Sequence, residues 1–366
     1  MLLKQSSLLK QLNHCRFYGT KTRGYEFYEN ILGSPKYIVG PMVEQSELAF
    51  RILCRRYNAH LCYTPMFHAR LFSDPDHGHK YRMDQWSTNP EDRPLIVQFC
   101  ANDPNILLRA AKMVEDQCDA VDLNLGCPQH IAKKGKYGSF LQDEWELIYK
   151  MISTLDRELK IPVTAKIRIF ESKEKTVEYA KMLVSAGAQL ITVHGRLREQ
   201  KGHLTGLADW TKIRAVKEAV KDRVPVIANG NILYHNDLKD CLLQTGADGV
   251  MSAEGLLYNP MLFDDKRKIP PISYDVAIEY LDICKQLRPK IITRPGIIKA
   301  HLFKFFHTCL PIFTDLREQL AKSYTLEEME IITLELKNRL IQQKIRVEEY
   351  LMNNNDILLC QPKIRK

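Results

Sequence analysis

The residues best placed to do chemistry lie in the run Asn124-Leu125-Gly126-Cys127-Pro128-Gln129. A thiol between glycine and proline sits on backbone that is permissive before it and fixed after it, which suits a side chain aimed at a ligand. With an ordinary pKa of about 8.5 it is mostly protonated at neutral pH, so Cys127 can act as a general acid without first becoming a nucleophile. A buried structural cysteine is the competing reading, because free cysteine is among the most buried residue types. The company it keeps favours chemistry. Pro41-Met42-Val43, Gln98, Lys166 with Arg168, His194-Gly195-Arg196, Asn229-Gly230-Asn231 and Ala253-Glu254-Gly255 also stand at or just beyond the ends of short apolar runs. Taken singly, Lys166 reads equally as a snorkelling lysine, His194 as a core histidine and Asn229-Gly230 as a turn.

The apolar and β-branched runs span 37–41, 61–64, 95–99, 120–124, 163–168, 190–194, 224–229 and 249–252. Short continuous runs of this kind predict strands buried on both faces. Helical spacing lies between them at 47–57, 105–117, 142–159, 176–186, 210–220 and 237–244. Strands alternating with helices over this length predict an α/β fold, a (β/α)8 TIM barrel of the usual size of about 250 residues. A doubly wound open sheet is disfavoured, because it gathers its functional groups at one switch point. Here the polar residues recur at nearly every strand end, and in a barrel all of those ends meet at one mouth.

Loops after the seventh and eighth strands, with the amino end of a short helix, are the recurrent phosphate site of such barrels. Gly230 would let the backbone approach a ligand there, Gly249 and Gly255 bracket the last strand, and residues 254–258 would form the helix. Pro41 and Met42 offer an apolar ledge, Gln98 amide donors and acceptors, and Lys166 a cation. A planar heteroaromatic with a phosphate tail fits that set.

Gly40-Pro41-Met42, Gln98-Phe99-Cys100, residues 124–129, Lys166-Ile167-Arg168, His194-Gly195-Arg196 and Asn229-Gly230-Asn231 together resemble the dihydrouridine synthases, flavin enzymes that reduce uridines in transfer RNA. Residues 24–27, 44–51, 53–57 and 61–66 resemble the eukaryotic branch that acts at D-loop positions 16 and 17. The resemblance runs from about Gly24 to beyond Pro295. Ala253-Glu254 departs from the Gly-Arg usual in bacterial members, which leaves backbone N–H groups as the phosphate donors there.

The resemblance implies FMN as cofactor, held by Pro41, Met42, Val43, Gln98, Lys166, His194, Asn229, Gly230, Asn231, Ala253 and Glu254, and NADPH or NADH as reductant. It implies hydride delivery to C6 of uracil and a proton from Cys127 to C5. Lys166 would face the N1–C2 side of the flavin. Asn124 would meet the base edge, Arg196 the substrate, and His194 and Arg168 the flavin, the uracil carbonyls or a neighbouring phosphate.

The charge pattern fits a transfer RNA partner. The chain is formally +9; residues 1–25 carry five Lys/Arg and no acid, and residues 266–366 carry 18 Lys/Arg against 12 Asp/Glu. The remainder is near neutral, so phosphate affinity is expected at the ends and chemistry in the barrel. Helical spacing at 277–287, 297–307, 316–324 and 326–351, after Pro270-Pro271, predicts a small all-α domain over 271–366 behind a barrel over 25–270 and a basic extension over 1–24. Arg294, Lys299, His301 and Lys304 are its candidate RNA contacts, flanking phenylalanines that read as core. The connection over 67–92, containing His68, Arg70, Tyr81, Arg82 and Trp86, reads as a long loop able to close over an extruded base.

Ten cysteines without a CxxC pair argue for a reducing compartment and against structural zinc, and His77-Gly78-His79 has no partners at ligand spacing. No run reaches the length of a membrane span. A cytoplasmic monomer is expected, with a mitochondrial presequence the alternative reading of the basic, acid-free start. Two rival functions are a dihydroorotate-dehydrogenase-like enzyme acting on a free pyrimidine, which would not need a basic helical appendage, and a noncatalytic RNA-binding relative, which would not need Cys127.

Overall fold

The computed structural model describes residues 21–264 and 273–342. Its strands are β1 (Tyr37–Val39), β2 (Leu61–Tyr63), β3 (Phe67–His68), β4 (Leu95–Cys100), β5 (Ala120–Leu125), β6 (Val163–Arg168), β7 (Ile191–His194), β8 (Val226–Asn229) and β9 (Gly249–Ser252). Every pairing is parallel. β1 pairs with both β2 and β9, and β2 pairs with β4, so eight strands close into a barrel and no open sheet remains. The two-residue β3 extends β4 at its carboxyl end, with Phe67 opposite Phe99 and His68 opposite Cys100.

Side chains alternate between the two faces of a strand, and the alternation sorts each run. Val97, Phe99, Val121, Leu123, Val163, Ala165, Ile191, Val193, Val226 and Ala228 pack outward against the helices. The intervening positions fill the barrel in layers. Ile38, Leu61, Ile96, Ala120, Leu190, Ile227 and Met251 make an apolar bottom. Above them Gln98, Asp122, Thr164 and Thr192 form a fully buried polar floor. Asn124, Lys166, His194 and Asn229 stand one pleat higher, aligned by the pairings Asn124 with Lys166 and His194 with Asn229.

The bottom is sealed by a helix that periodicity did not announce, Gly24–Asn30, whose Phe27 and Tyr28, with Leu32, join the apolar layer. Gly24 N donates to Gln189 Oε1 at 2.8 Å, and Lys21 and Arg23 pair with Asp156 at 3.1 Å. Residues 21–24, read as part of the extension, are therefore docked on the barrel; residues 1–20 lie outside the described set.

Asp103, Ser172 and Asp209 cap the helices Pro104–Lys112, Lys173–Ala186 and Trp210–Val220 by accepting from first-turn N–H groups. The segment over 67–92 is not a bare loop. It holds β3 and the helices Ala69–Phe72 and Gly78–Gln85, with Trp86 edge-on to Phe67 and Phe72, the Tyr81 hydroxyl accepting from His68 N, and Arg82 bound to the Phe72 carbonyl.

Four further helices follow, Ser273–Leu287, Pro295–Phe305, Thr314–Lys322 and Leu326–Gln342; the first packs on the first barrel helix, Leu48–Arg56, and the second and fourth pack on the first. Pro270-Pro271 and residues 343–351 of the predicted last helix fall outside the described residues. The joint between barrel and helices is polar and buried. Glu47, the cap of Leu48–Arg56, accepts from Phe50 N at 3.2 Å and from the Tyr280 hydroxyl at 2.6 Å, and its second oxygen lies 3.0 Å from His301 Nε2. Burial alone would raise the Glu47 carboxyl, but His301 and Tyr280 hold it below the usual carboxylate range. His301 is 0% exposed and stacked on Phe50, so it is a joint residue and not an RNA contact. Arg294 pairs with Glu44 at 2.6 Å, Lys304 donates to the Tyr258 hydroxyl at 2.8 Å, and Lys299 donates to the carbonyls of Ala321 and Ser323, at the end of Thr314–Lys322, at 2.9 and 2.8 Å. These three cations, expected as RNA contacts, are part-exposed and each also has a protein partner that ties the helices to one another or to the barrel. Among the described residues no helix is long and apolar enough to cross a membrane.

Candidate active site

The mouth is built on the upper interior layer. Lys166 Nζ donates to Asn229 Oδ1 at 2.9 Å, and Asn229 Nδ2 donates to the Met251 carbonyl at 2.9 Å. Beside them Arg196 meets His194 Nε2 at 3.0 Å, Asn231 Oδ1 at 2.6 Å and the Gly206 carbonyl at 3.1 Å. Arg168 spends Nε on the Gly126 carbonyl at 2.8 Å and one terminal nitrogen on the carbonyls of Leu197 and Gln200 at 2.7 and 3.0 Å. Its first task is thus to staple the Cys127 loop to the loop after β7, where the sequence reading gave it a substrate contact.

These groups set an unusual balance of charge. Burial, and next the Arg168 guanidinium, lower Lys166 to about 8. Burial and Arg196 lower Arg168 to about 10. Burial together with Lys166, Arg168 and Arg196 holds His194 well below its ordinary value, so it is neutral at pH 7. Three cations converge around one neutral imidazole. Glu254 is exposed and acts on Arg196 only at a distance. A chamber so charged is matched to an anion.

Cys127 is half-buried, whereas the other cysteines of the described residues are buried. Its backbone N–H donates to Asn124 Oδ1 at 2.9 Å, and its carbonyl accepts from Ser139 N at 3.1 Å and Ser139 Oγ at 3.0 Å. Lys201 Nζ donates to the Pro128 carbonyl at 2.7 Å. Burial pushes the thiol up, against the Gln129 N–H, Arg168 and Lys166. Gly126, expected to supply conformational freedom, has no left-handed backbone, and a Cβ there would meet nothing nearer than 3.5 Å. The demanding glycine is Gly138, at φ +65°, where a Cβ would lie 2.7 Å from the Cys127 carbonyl oxygen. Gly138 and Ser139 went unread, because a turn residue eleven positions away carries no signal of what it packs against.

Gln98 lies on the buried polar floor, where both ends of its amide already have a protein partner. It is 0% exposed, with Nε2 donating to Asp122 Oδ2 and Oε1 accepting from Asn124 Nδ2, both at 2.8 Å. Asn124 is likewise engaged on both sides, so its first role is internal and not to the base edge. Pro41 and Met42 are part-exposed on the rim and Val43 is 60% exposed beside them. Ala253 begins the five-residue helix Glu254–Tyr258, and Asn231 has a left-handed φ of +60° that turns its side chain onto Arg196. Asp74, Asp76 and His77 bring ligand-type atoms within 4.8 Å of one another, but Asp74 Oδ1 already accepts from the N–H groups of Asp76 and His77, and the group is largely exposed.

Gly230 has φ +109°, and a Cβ there would come within 2.8 Å of Ala208 Cβ and 2.9 Å of His194 Cδ2. The glycine therefore keeps protein away from protein, where a close ligand approach was expected. Gly230→Ala should lose about 1–3 kcal/mol of stability through strained backbone and a displaced His194, read as a lower denaturant midpoint at unchanged slope. A midpoint equal to wild type would refute the packing account.

A family model described as "Dihydrouridine synthase (Dus)" matches residues 37–346. A Rattus norvegicus protein named tRNA-dihydrouridine(16/17) synthase [NAD(P)(+)]-like is 48% identical over 349 residues, 94% of this chain and 77% of its own length. A Saccharomyces cerevisiae tRNA-dihydrouridine(16/17) synthase [NAD(P)(+)] is 51% identical over 334 residues, 88% of this chain and 78% of its own. A Homo sapiens tRNA-dihydrouridine(20a/20b) synthase [NAD(P)+]-like protein is less similar, at 38% over 236 residues, 64% of this chain and 72% of its own.

Proposed function

The chain belongs to the dihydrouridine synthase family, and from that premise we propose that it reduces uridine to 5,6-dihydrouridine in the D-loop of transfer RNA, at positions 16 and 17. FMN is the bound cofactor in this reading and NADPH or NADH the reductant. The observation that carries it is the mouth itself: Lys166, Arg168 and Arg196 converge without an acid paired to them, beside a half-buried thiol. That set fits an anionic flavin phosphate or an anionic reduced ring, and the names of the relatives supply the nucleic acid and the reductant.

When bound, the reduced flavin supplies a hydride to C6 of the uracil. Cys127 Sγ–H supplies the proton to C5. Burial keeps that thiol protonated at neutral pH, so the donor is ready before the base arrives. Lys166 stabilises negative charge in a chamber from which bulk water is largely excluded, where one fixed cation acts more strongly than in water. A uridine stacked in folded RNA reaches this depth only by leaving its stack.

The test is incubation of the purified yellow protein with NADPH, or NADH, and unmodified transfer RNA, followed by mapping of dihydrouridine. Product at positions 16 and 17 is expected, with free uridine and orotate unchanged. Turnover of a free pyrimidine but not of transfer RNA would favour the dihydroorotate-type reading.

Exposed cations also follow the Cys127 loop. Lys133 and Lys134, on the helix His130–Gly135, and Lys136 after it are exposed, and residues 123–142 contain no acid. Changing these three to glutamine should weaken transfer RNA binding and lower the slope of log affinity against log salt by roughly two to three units if each meets a phosphate. Filter binding across a salt series measures both, and an unchanged slope would remove this segment from the RNA path. The cytoplasmic, monomeric state belongs to the same proposal.

A further inference from the structure

The carboxylate of Asp122 lies on the polar floor of the barrel and takes no part in the steps above. It is fully buried, and it ends a chain of side-chain hydrogen bonds that leads to the backbone of the Cys127 loop. Thr164 Oγ1 donates to Asp122 Oδ1 at 2.6 Å, and Gln98 Nε2 donates to Oδ2 at 2.8 Å. Gln98 Oε1 then accepts from Asn124 Nδ2 at 2.8 Å. Asn124 Oδ1 accepts the N–H groups of Gly126 at 3.2 Å and Cys127 at 2.9 Å.

Polarity makes the order of these bonds matter. An amide has a donor end and an acceptor end, and each can be reversed at little cost unless a neighbour forbids it. A carboxylate accepts only, so it compels Gln98 to face it with nitrogen and to turn oxygen towards Asn124. Asn124 must then face Gln98 with nitrogen, which leaves its oxygen for the Cys127 loop. Reversing Asn124 would set an NH2 group against two backbone N–H groups and leave buried donors unpaired.

We propose that Asp122 is a positioning residue, whose acceptor-only carboxylate fixes the orientation of the Gln98 and Asn124 amides and thereby anchors the loop that aims Cys127. Burial raises Asp122 to about 6, with Thr164, Gln98 and Lys166 opposing the rise. The ionisable groups facing it are Lys166 from β6 and Tyr63 from β2, and with them it is ionised at neutral pH. The same strand spacing that puts Asn124 in the mouth puts Asp122 two residues below it on the same face.

The inference rests on the proposed reaction only for the consequence of a misplaced thiol; the anchor itself can be read without turnover. Asp122→Val removes the acceptor at near-constant volume, whereas Asp122→Asn can still present an oxygen to Gln98 and an amide N–H to Thr164. The first readout is the rate at which iodoacetamide alkylates Cys127, followed by peptide mass mapping. Asp122→Val should change that rate by about threefold or more, and Asp122→Asn should restore it towards wild type. The second readout separates the half-reactions: Asp122→Val should slow uridine reduction at least about tenfold while the nicotinamide cofactor still bleaches the flavin at the wild-type rate. Should Asp122→Val fail to fold, Asp122→Ala removes the same acceptor with a smaller side chain and should give the same pair of effects. An unchanged alkylation rate in the folded variant, equal damage by Asp122→Asn, or equal slowing of both half-reactions would overturn the anchor. A changed alkylation rate with no uridine reduction even in wild type would instead overturn the reading of the reaction.

Discussion

Cys127→Ala should bleach its flavin normally on addition of the nicotinamide cofactor and then fail to pass the reducing power on. Loading the mouth with electrons asks nothing of a thiol, whereas saturating the C5–C6 bond asks for a proton at C5. Loss of a positioned general acid commonly costs about 100- to 10,000-fold. Single-turnover dihydrouridine formation measures this directly, and a wild-type rate in the variant would take Cys127 out of the mechanism. Because burial lifts the thiol above its ordinary value, its protonation sets no fall in rate as the medium becomes mildly alkaline.

Lys166 should matter as much. Replacing it by methionine removes the one ammonium held on the upper layer by Asn229, and turnover should fall on the order of 100- to 1,000-fold, the usual consequence of deleting a preorganised charge-stabilising donor. The pH dependence has a definite sign. With a pKa of about 8, the side chain is cationic below that value and neutral above it, so attraction for an anion is present at low pH and lost as pH rises through 8. A bound anion favours the cationic form, which moves the midpoint upward in the complex. Titration of FMN affinity against pH in wild type and Lys166→Met shows the effect as a slope that the variant lacks. A slope shared by both would assign it elsewhere.

The barrel was legible in the sequence because strands buried on both faces must be apolar almost throughout, and polar residues at their ends stand out. The same uniformity hid the layers inside. Asp122, within the run over 120–124, gave no sign that it touches Thr164 and Gln98 until the strands were set in register. The helix Gly24–Asn30 and the short helices over 69–85 are too brief for a periodic signal and exist by tertiary packing. Arg294, Lys299, His301 and Lys304 stood out in the sequence as a basic face, and the structure adds protein partners to each. A basic residue advertises its charge but not its partner, and the partners Glu44 and Glu47 stand some 250 positions away. The identities of Cys127, Lys166, His194 and Arg196 as neighbours followed from strand order alone; the engagement of Gln98 and Asn124 with each other did not.

The sealed bottom has a kinetic consequence. Phe27, Tyr28 and Leu32 close one end of the barrel onto a wholly apolar layer, so the chamber is a well with a single opening. Whatever delivers electrons and whatever receives them must use that opening in turn, and a nucleobase deep enough to meet Cys127 stands where a nicotinamide ring would have to be. The two cannot form a ternary complex over the reaction centre. Initial rates at several fixed concentrations of transfer RNA, plotted as reciprocals against the nicotinamide cofactor, should therefore give parallel lines; lines that converge would mean a second way in.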